Sequence, residues 1–408
     1  MEANIINSKV YYGEYSLQHW IDLILSGNIT LPEYQRSFVW NESAVKNFRD
    51  ALRRKEFVPP VILGNFEGKN NYIIDGQQRL TSLLLAYIGK MPKREEFRMS
   101  DLQQYADAND MISDDEEADD EPIEWKFSIL IHSGVENTKD SILKEINSKY
   151  PTKYTDLEDI DIPEVLKNTY LGFSYIIPEV KEKTEQQKFY CSVFRNINMK
   201  GTSLLPQESR KSLYFLDDRK KDFFDWKGFS KYKITNDKRK RPIDFIRYVS
   251  MASQYAKDEN VYVIMRKYSP RVGKDEEYYA RYISEVIGET TTSMFKSFSE
   301  IFNNSDYETR LDDFEKVLGQ LKLPQEYNSI VDTDITFFGL VYNVLICNRK
   351  IDLERADELK EKIKEKIELY NDTSNEDSVK HKRNPNLLKY IRQRWIDSLG
   401  IYADFLES

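Results

Sequence analysis

"NYIIDGQQRLTSLLLAYIG", residues 71–89, opens apolar, breaks at Asp75-Gly76, sets Gln77, Gln78 and Arg79 in a row, and runs apolar again. Leu80, Leu83, Leu84, Tyr87 and Ile88 recur at helical spacing after a short β-rich run, so the polar cluster lies on a strand-to-helix turn. A turn of this kind exposes the first backbone N–H groups of the helix, which carry partial positive charge and suit phosphates. Gly76 lets the backbone approach a ligand, Arg79 brings a guanidinium fork, and Gln77 and Gln78 both donate and accept. Asp75, beside a phosphate, would coordinate a cation, pair with an arginine or orient a water. The plainer alternative is an Asp-Gly turn with Arg79 held by a surface carboxylate.

Working outward, the front of the chain reads as α/β. Ser16 caps a predicted helix through Leu17, Trp20, Ile21, Ile24 and Leu25, which Gly27 stops. Asn41 caps a second with Val45, Phe48 and Leu52 on one face, ending before Pro59-Pro60. "VILGNF" and "NYII" flank the turn-like "EGKN" as a hairpin, and "WKFSILIH" at 125–132 reads as a further strand. From about Gln186 helices dominate. Near the end Leu359, Ile363, Ile367 and Tyr370 stripe a charged amphipathic helix.

Composition narrows the function classes. The 408 residues are 40% apolar, enough for real cores, and the net charge of −9 excludes a chain that coats DNA or anionic membrane through its overall field. Cys191 and Cys347 cannot build a disulfide framework or zinc site, and His19, His132 and His381 have no metal-ligand spacing. No basic head with an apolar segment opens the chain and no apolar run spans a membrane, so a cytoplasmic protein is expected. Residues 101–124 hold eleven acidic residues and no basic one, the pattern of a solvated insertion.

Two further stretches share the polar character of 75–79. "LPEYQRSFVW" sets Gln35 and Arg36 between Tyr34 and Phe38, and "FRNINMKGTSLLPQESR" offers Arg195, Asn196, Asn198 and Glu208 with apolar anchors. With "VPPVIL" at 58–63 and "IIDGQQRLTSL" at 73–83, these stretches resemble the ParB/sulfiredoxin-like N-terminal domains of GmrSD-type modification-dependent restriction enzymes and related phage-defence proteins. The resemblance spans roughly residues 15–215. It implies an α/β ParB-like domain with a small mixed sheet over 1–185, the acidic stretch as its insertion, followed by a mainly α-helical region over 186–408 whose first part, 194–210, carries a family motif.

By the same resemblance Asp75, Gln77, Gln78 and Arg79 form the catalytic set. Gln35, Arg36, Gly76, Arg195 and Asn198 join them in binding a nucleoside triphosphate, GTP, ATP or CTP, with Mg²⁺ on Asp75. Family members couple such hydrolysis to restriction of DNA. Departures are plain: His381 has no partner for a His-Asn-His nuclease, no cysteine lies near 75–79 for sulfiredoxin chemistry, and Met199-Lys200 replaces small polar residues. The expected protein is therefore a nucleoside triphosphatase of a bacterial anti-phage or restriction system, acting on DNA with a separate nuclease or other defence protein, with oligomers possible. Two alternatives stand beside it, a ParB-like DNA-binding module without hydrolysis and a metal-dependent nuclease in its own right. DNA contact is expected at Lys238, Arg239, Lys240 and Arg241, in a stretch from 190 to 250 with fifteen Lys and Arg against seven Asp and Glu.

Overall fold

The computed structural model describes residues 7–407 except 30, 32–37, 67–68, 98–122, 124, 127–128, 133, 159, 161–162, 199–205, 218, 236–239, 269–273, 289, 291–292 and 303–306. The acidic stretch, Ile123 apart, lies outside the described residues. The chain divides into two compact units, one of residues up to Leu216 and one of Asp217–Ser408, the acidic stretch aside.

The first unit runs β1 (Ser8–Ser16), α1 (Leu17–Leu25), α2 (Glu42–Arg53), β2 (Val61–Phe66), β3 (Lys69–Asp75), α3 (Gln77–Ile88), β4 (Lys90–Pro92), α4 (Lys139–Lys149), β5 (Tyr154–Asp156), α5 (Pro163–Asn168), β6 (Tyr170–Pro178), α6 (Lys183–Asn198) and α7 (Pro206–Tyr214). Its main sheet is mixed, in the order β1-β6-β2-β3. β1 pairs antiparallel with β6 from Ser8↔Pro178 to Ser16↔Tyr170, β2 lies parallel to β6, and β2 and β3 form the expected hairpin. Local chemistry sets the helix starts: the Ser16 side chain accepts from His19 N and Asn41 accepts from Ala44 N, while Gly27, at φ 70°, closes α1. α1 then buries Leu17, Trp20, Ile21 and Ile24, and the Trp20 indole donates to Leu171 O at 3.0 Å, fixing the helix to β6. Burial of a tryptophan this complete is worth about 3–5 kcal/mol.

The segment 125–132 departs from expectation. Trp125 and Leu130 do return to the core, but Ile129 N bonds back to Lys126 O, and no described residue of the segment is in a strand. The Trp125 indole is satisfied by the Tyr154 hydroxyl at 2.9 Å, so one aromatic anchor replaces a ladder of backbone bonds.

The second unit contains α8 (Lys221–Phe224), β7 (Lys233–Thr235), β8 (Lys240–Pro242), α9 (Phe245–Asp258), α10 (Lys274–Val286), α11 (Phe298–Phe302), α12 (Tyr307–Leu321), β9 (Glu326–Tyr327), α13 (Ile330–Leu340), α14 (Ala356–Asn371), α15 (Glu376–Arg383) and α16 (Leu388–Ala403). Three short strands, in the order β8-β7-β9, accompany the helices. The fold class is thus α/β with a small mixed sheet, then mainly helical, as the sequence predicts. No described helix is long and apolar enough to cross a membrane.

His381 sits buried on α15, its Nε2 3.2 Å from Gln393 Oε1 and its Nδ1 3.4 Å from Arg394 Nη1. The guanidinium can only donate, so Nδ1 accepts and Nε2 carries the proton. Burial, and then the Arg394 charge, push its pKa down to about 4, against the opposing pull of Asp377 and Asp397. In the unfolded chain the imidazole protonates near pH 6.5, so the unfolded state binds the proton first as pH falls. Stability should be flat above about pH 6.5 and decline by about 2 kcal/mol between there and about pH 4. Urea unfolding at a series of pH values reads this slope, and His381→Gln should flatten it.

Candidate functional site: the Asp75–Arg79 turn

The turn is built as its residue types dictate. β3 ends at Asp75, α3 begins at Gln77, and Gly76 between them has φ 99°, a left-handed conformation that glycine alone adopts freely. A Cβ at position 76 would lie 3.1 Å from Arg79 Nη2, 3.1 Å from Val61 Cγ2 and 3.2 Å from Val61 Cα. Glycine is therefore required twice, for its φ and for space. Gly76, the N-cap of α3, has no side chain to cap the helix start.

Arg79 lies back across the turn. Its Nη2 donates to Asp75 Oδ2 at 2.7 Å and to Pro60 O at 3.3 Å, and its buried Nε has no hydrogen-bond partner among the described residues. The Arg79 side chain is 14% exposed and that of Asp75 34%, so the pair faces outward through the carboxylate. Gln77 and Gln78 are both buried, at 5% and 9% exposure. Gln78 Oε1 accepts from Val39 N at 3.0 Å, while Arg94 Nη1 donates to Val39 O at 3.2 Å. The peptide groups of Val39 are thus held from both sides, and Phe38, fully buried, bridges to Ile123. Those bonds bring the C-terminal end of "LPEYQRSFVW" against the 75–79 turn. Gln35 and Arg36 themselves lie outside the described residues.

The third stretch begins on α6, which packs on the hairpin. The Tyr190 hydroxyl accepts from Asn65 N at 2.9 Å and donates to Asn65 O at 2.8 Å, and its ring fills the space that a side chain at Gly64 would need. Burial pushes the Tyr190 phenol up to about 12, so it stays a neutral donor. Phe194 is buried one turn further along. Arg195 and Asn198 lie on the last turns of α6, and their side chains fall outside the described residues.

Among the described residues no group of three or more His, Cys, Asp or Glu could hold a metal. Asp75 offers one carboxylate, with Oδ2 taken by Arg79. That donor set suits Mg²⁺, which is commonly carried on substrate phosphates and fixed by one or two protein carboxylates, rather than a metal needing an all-protein cage.

The basic loop is described only in part. Lys238 and Arg239 lie outside the described residues, Lys240 pairs with Glu326 at 2.6 Å, and Arg241 is half-buried on β8. Sequence reasoning also passed over a cavity of about 740 Å³ in the second unit, lined by Lys220, Lys296, Phe298 and Tyr307 among others, because its walls come from separate short segments.

No curated protein and no solved structure matches the chain. Residues 17–215, just under half of its length, match the family model of the GmrSD restriction endonuclease, N-terminal domain. The segment that holds the Asp75–Arg79 turn, the Val39 clamp and the start of the third stretch is thus similar to the N-terminal domain of that restriction endonuclease family.

Proposed function

We propose that the first unit binds and hydrolyses a nucleoside triphosphate at the Asp75–Arg79 turn, as the nucleotide-driven component of a restriction or anti-phage system that acts on DNA with a separate nuclease. The likeness of residues 17–215 to the GmrSD N-terminal domain supports the restriction setting. The observation that carries the chemistry is Arg79: a mostly buried guanidinium at an uncapped helix start, steadied by one carboxylate, with an Nε that no described residue satisfies. An unpaired buried donor of this kind is costly unless a ligand completes it.

Roles within the set follow from what is already engaged. Gln78 is a strut for Val39, so Gln77 is the glutamine that positions the attacking water. Arg79 and the first N–H groups of α3 hold phosphate oxygens, with Gln35, Arg36, Arg195 and Asn198 completing the nucleotide site. Asp75 would hold Mg²⁺ bound with nucleotide, and the cation would supply neutralisation of charge on the phosphates.

Phosphate release from ATP, GTP, CTP and UTP with Mg²⁺, with and without DNA, tests the reading. The parent should turn over at least one of them, and Arg79→Ala should lose roughly a thousandfold in rate. Undiminished turnover in Arg79→Ala would place the chemistry elsewhere, and absence of nucleotide binding by the parent would leave the turn a structural element.

A further inference from the structure

On α16, Lys389, Arg392, Gln393 and Ile396 fall on one solvent-facing side, with Ile396 55% exposed. Arg392 reaches to the turn that follows α9: its Nη2 donates to Tyr262 O at 2.8 Å and Ile264 O at 3.2 Å, and its guanidinium carbon lies 5.9 Å from the Tyr262 ring centre. Tyr262 itself is 71% exposed, a large aromatic ring left in water. The same turn then bends through Met265 at φ 52° and Lys267 at φ 80°, conformations that neither residue favours, and presents Arg266 and Lys267 to solvent.

These cations stand outside salt bridges among the described residues, although the exposed Asp258 and Glu259 open the same turn and the Lys389 ammonium lies 4.3 Å from the Tyr390 ring centre. Among the described residues no ion pair engages Arg266, Lys267, Lys389 or Arg392, although nearby stretches are neutralised in the ordinary way: Lys366 pairs with Asp397 and Lys380 with Glu376. Arg266 and Arg392 stand close enough that their like charge, after burial, lowers the Arg392 pKa, and no carboxylate counters it there. Arg392 Nε is buried without a hydrogen-bond partner among the described residues. Arg392 thus stands against an exposed tyrosine, with Arg266 and Lys267 exposed on the same turn and Lys389 almost one turn away along α16.

We infer that this surface of the second unit, centred on Tyr262, Arg266, Lys389 and Arg392, binds single-stranded DNA, with the cations on phosphates and Tyr262 stacked on a base. Acidic peptide would satisfy the charges but would leave the ring unused. A lipid surface would want several exposed apolar side chains, where Ile396 stands alone on α16. Nucleic acid uses both features, since cationic grooves with stacking aromatics are how unpaired strands are held without sequence preference. The inference rests on the reading that this protein acts on DNA, and it adds to the 238–241 loop a surface formed by two segments about 130 residues apart.

The test is fluorescence anisotropy with a labelled 20-nucleotide single strand and its duplex over a salt series, using the full chain. The parent should bind the single strand more tightly than the duplex. Arg266→Ala with Lys389→Ala should weaken binding at least tenfold and reduce the salt slope by about 1.4, the change for two lost phosphate contacts on a single strand. Tyr262→Ala, at an exposed position that does not support the core, should weaken single-strand binding about tenfold and leave the salt slope in place. Arg79→Ala should bind DNA as the parent does. DNA binding that persists unchanged in both surface variants overturns the inference and leaves the nucleotide reading standing. No DNA binding by the parent, or binding only to anionic vesicles, overturns the inference together with the DNA part of that reading, while phosphate release still reports on the turn.

Discussion

Asp334→Ala should destabilise the second unit by about 3–5 kcal/mol. The carboxylate lies fully buried on α13 between two equally buried arginines. Arg247, from α9, donates from Nε to Oδ1 at 3.0 Å and from Nη2 to Oδ2 at 2.8 Å. Arg394, from α16, donates from Nε and Nη2 to Oδ2 at 3.0 and 2.9 Å, and its Nη2 also reaches Pro385 O. The spare Nη1 of Arg247 reaches the Tyr279 hydroxyl on α10 at 3.1 Å. One anion thus organises four helices, and the cluster carries a surplus positive charge buried from solvent. Removing the anion leaves two guanidiniums facing each other without compensation, which is why the expected loss is far larger than that of a surface pair. Asp334→Asn keeps an acceptor and loses the charge, so its loss should be intermediate. Replacing Arg247, Asp334 and Arg394 together with Met, Leu and Met should recover most of the stability, because the cost resides in unpaired charge rather than lost volume. Urea unfolding followed by near-ultraviolet circular dichroism measures all three, and a parent-like midpoint for Asp334→Ala would show that the buried charges are relaxed by water.

Much of the first unit is legible in the chain because its signals are local. Ser16 and Asn41 cap at the positions their side chains suggest, and α1, α2 and α3 follow the apolar spacing. β1 and β6 were not legible. β1 is exposed along most of its length and so shows no alternation of buried and open positions, and its partner lies more than 150 residues away. The parallel pairing of β2 with β6 has no local signature either. At the site the Asp75–Arg79 pair could be anticipated, since strand end and helix start bring positions 75 and 79 together across Gly76. The use of Gln78 as a strut for Val39 could not, because a glutamine's partner is chosen by packing rather than by type. The Asp334 cluster is hidden for the same reason, its members being 87 and 60 positions apart.

Asp75→Asn should separate the two uses of the Asp75–Arg79 pair. Asparagine has nearly the shape of aspartate and still accepts from Arg79 Nη2, so the turn keeps its geometry. The pair is partly exposed, Asp75 at 34%, and its net contribution to stability is about 1 kcal/mol or less. Unfolding should therefore change little. Turnover should fall roughly a thousandfold, because the group proposed to fix Mg²⁺ beside the phosphates has lost its charge. Nucleotide affinity without Mg²⁺ should hold or rise, since a negative charge next to a polyanion has been removed. Arg79→Ala differs in kind: it removes a cation from the phosphates and should raise KM as well as lower kcat. The pattern across the two variants, one lowering kcat with affinity kept and the other losing both, is what a catalytic turn requires. Full turnover in Asp75→Asn would instead make Asp75 a clip that only holds Arg79 in place, and the Mg²⁺ ligand would have to be sought among the other polar residues of the nucleotide site.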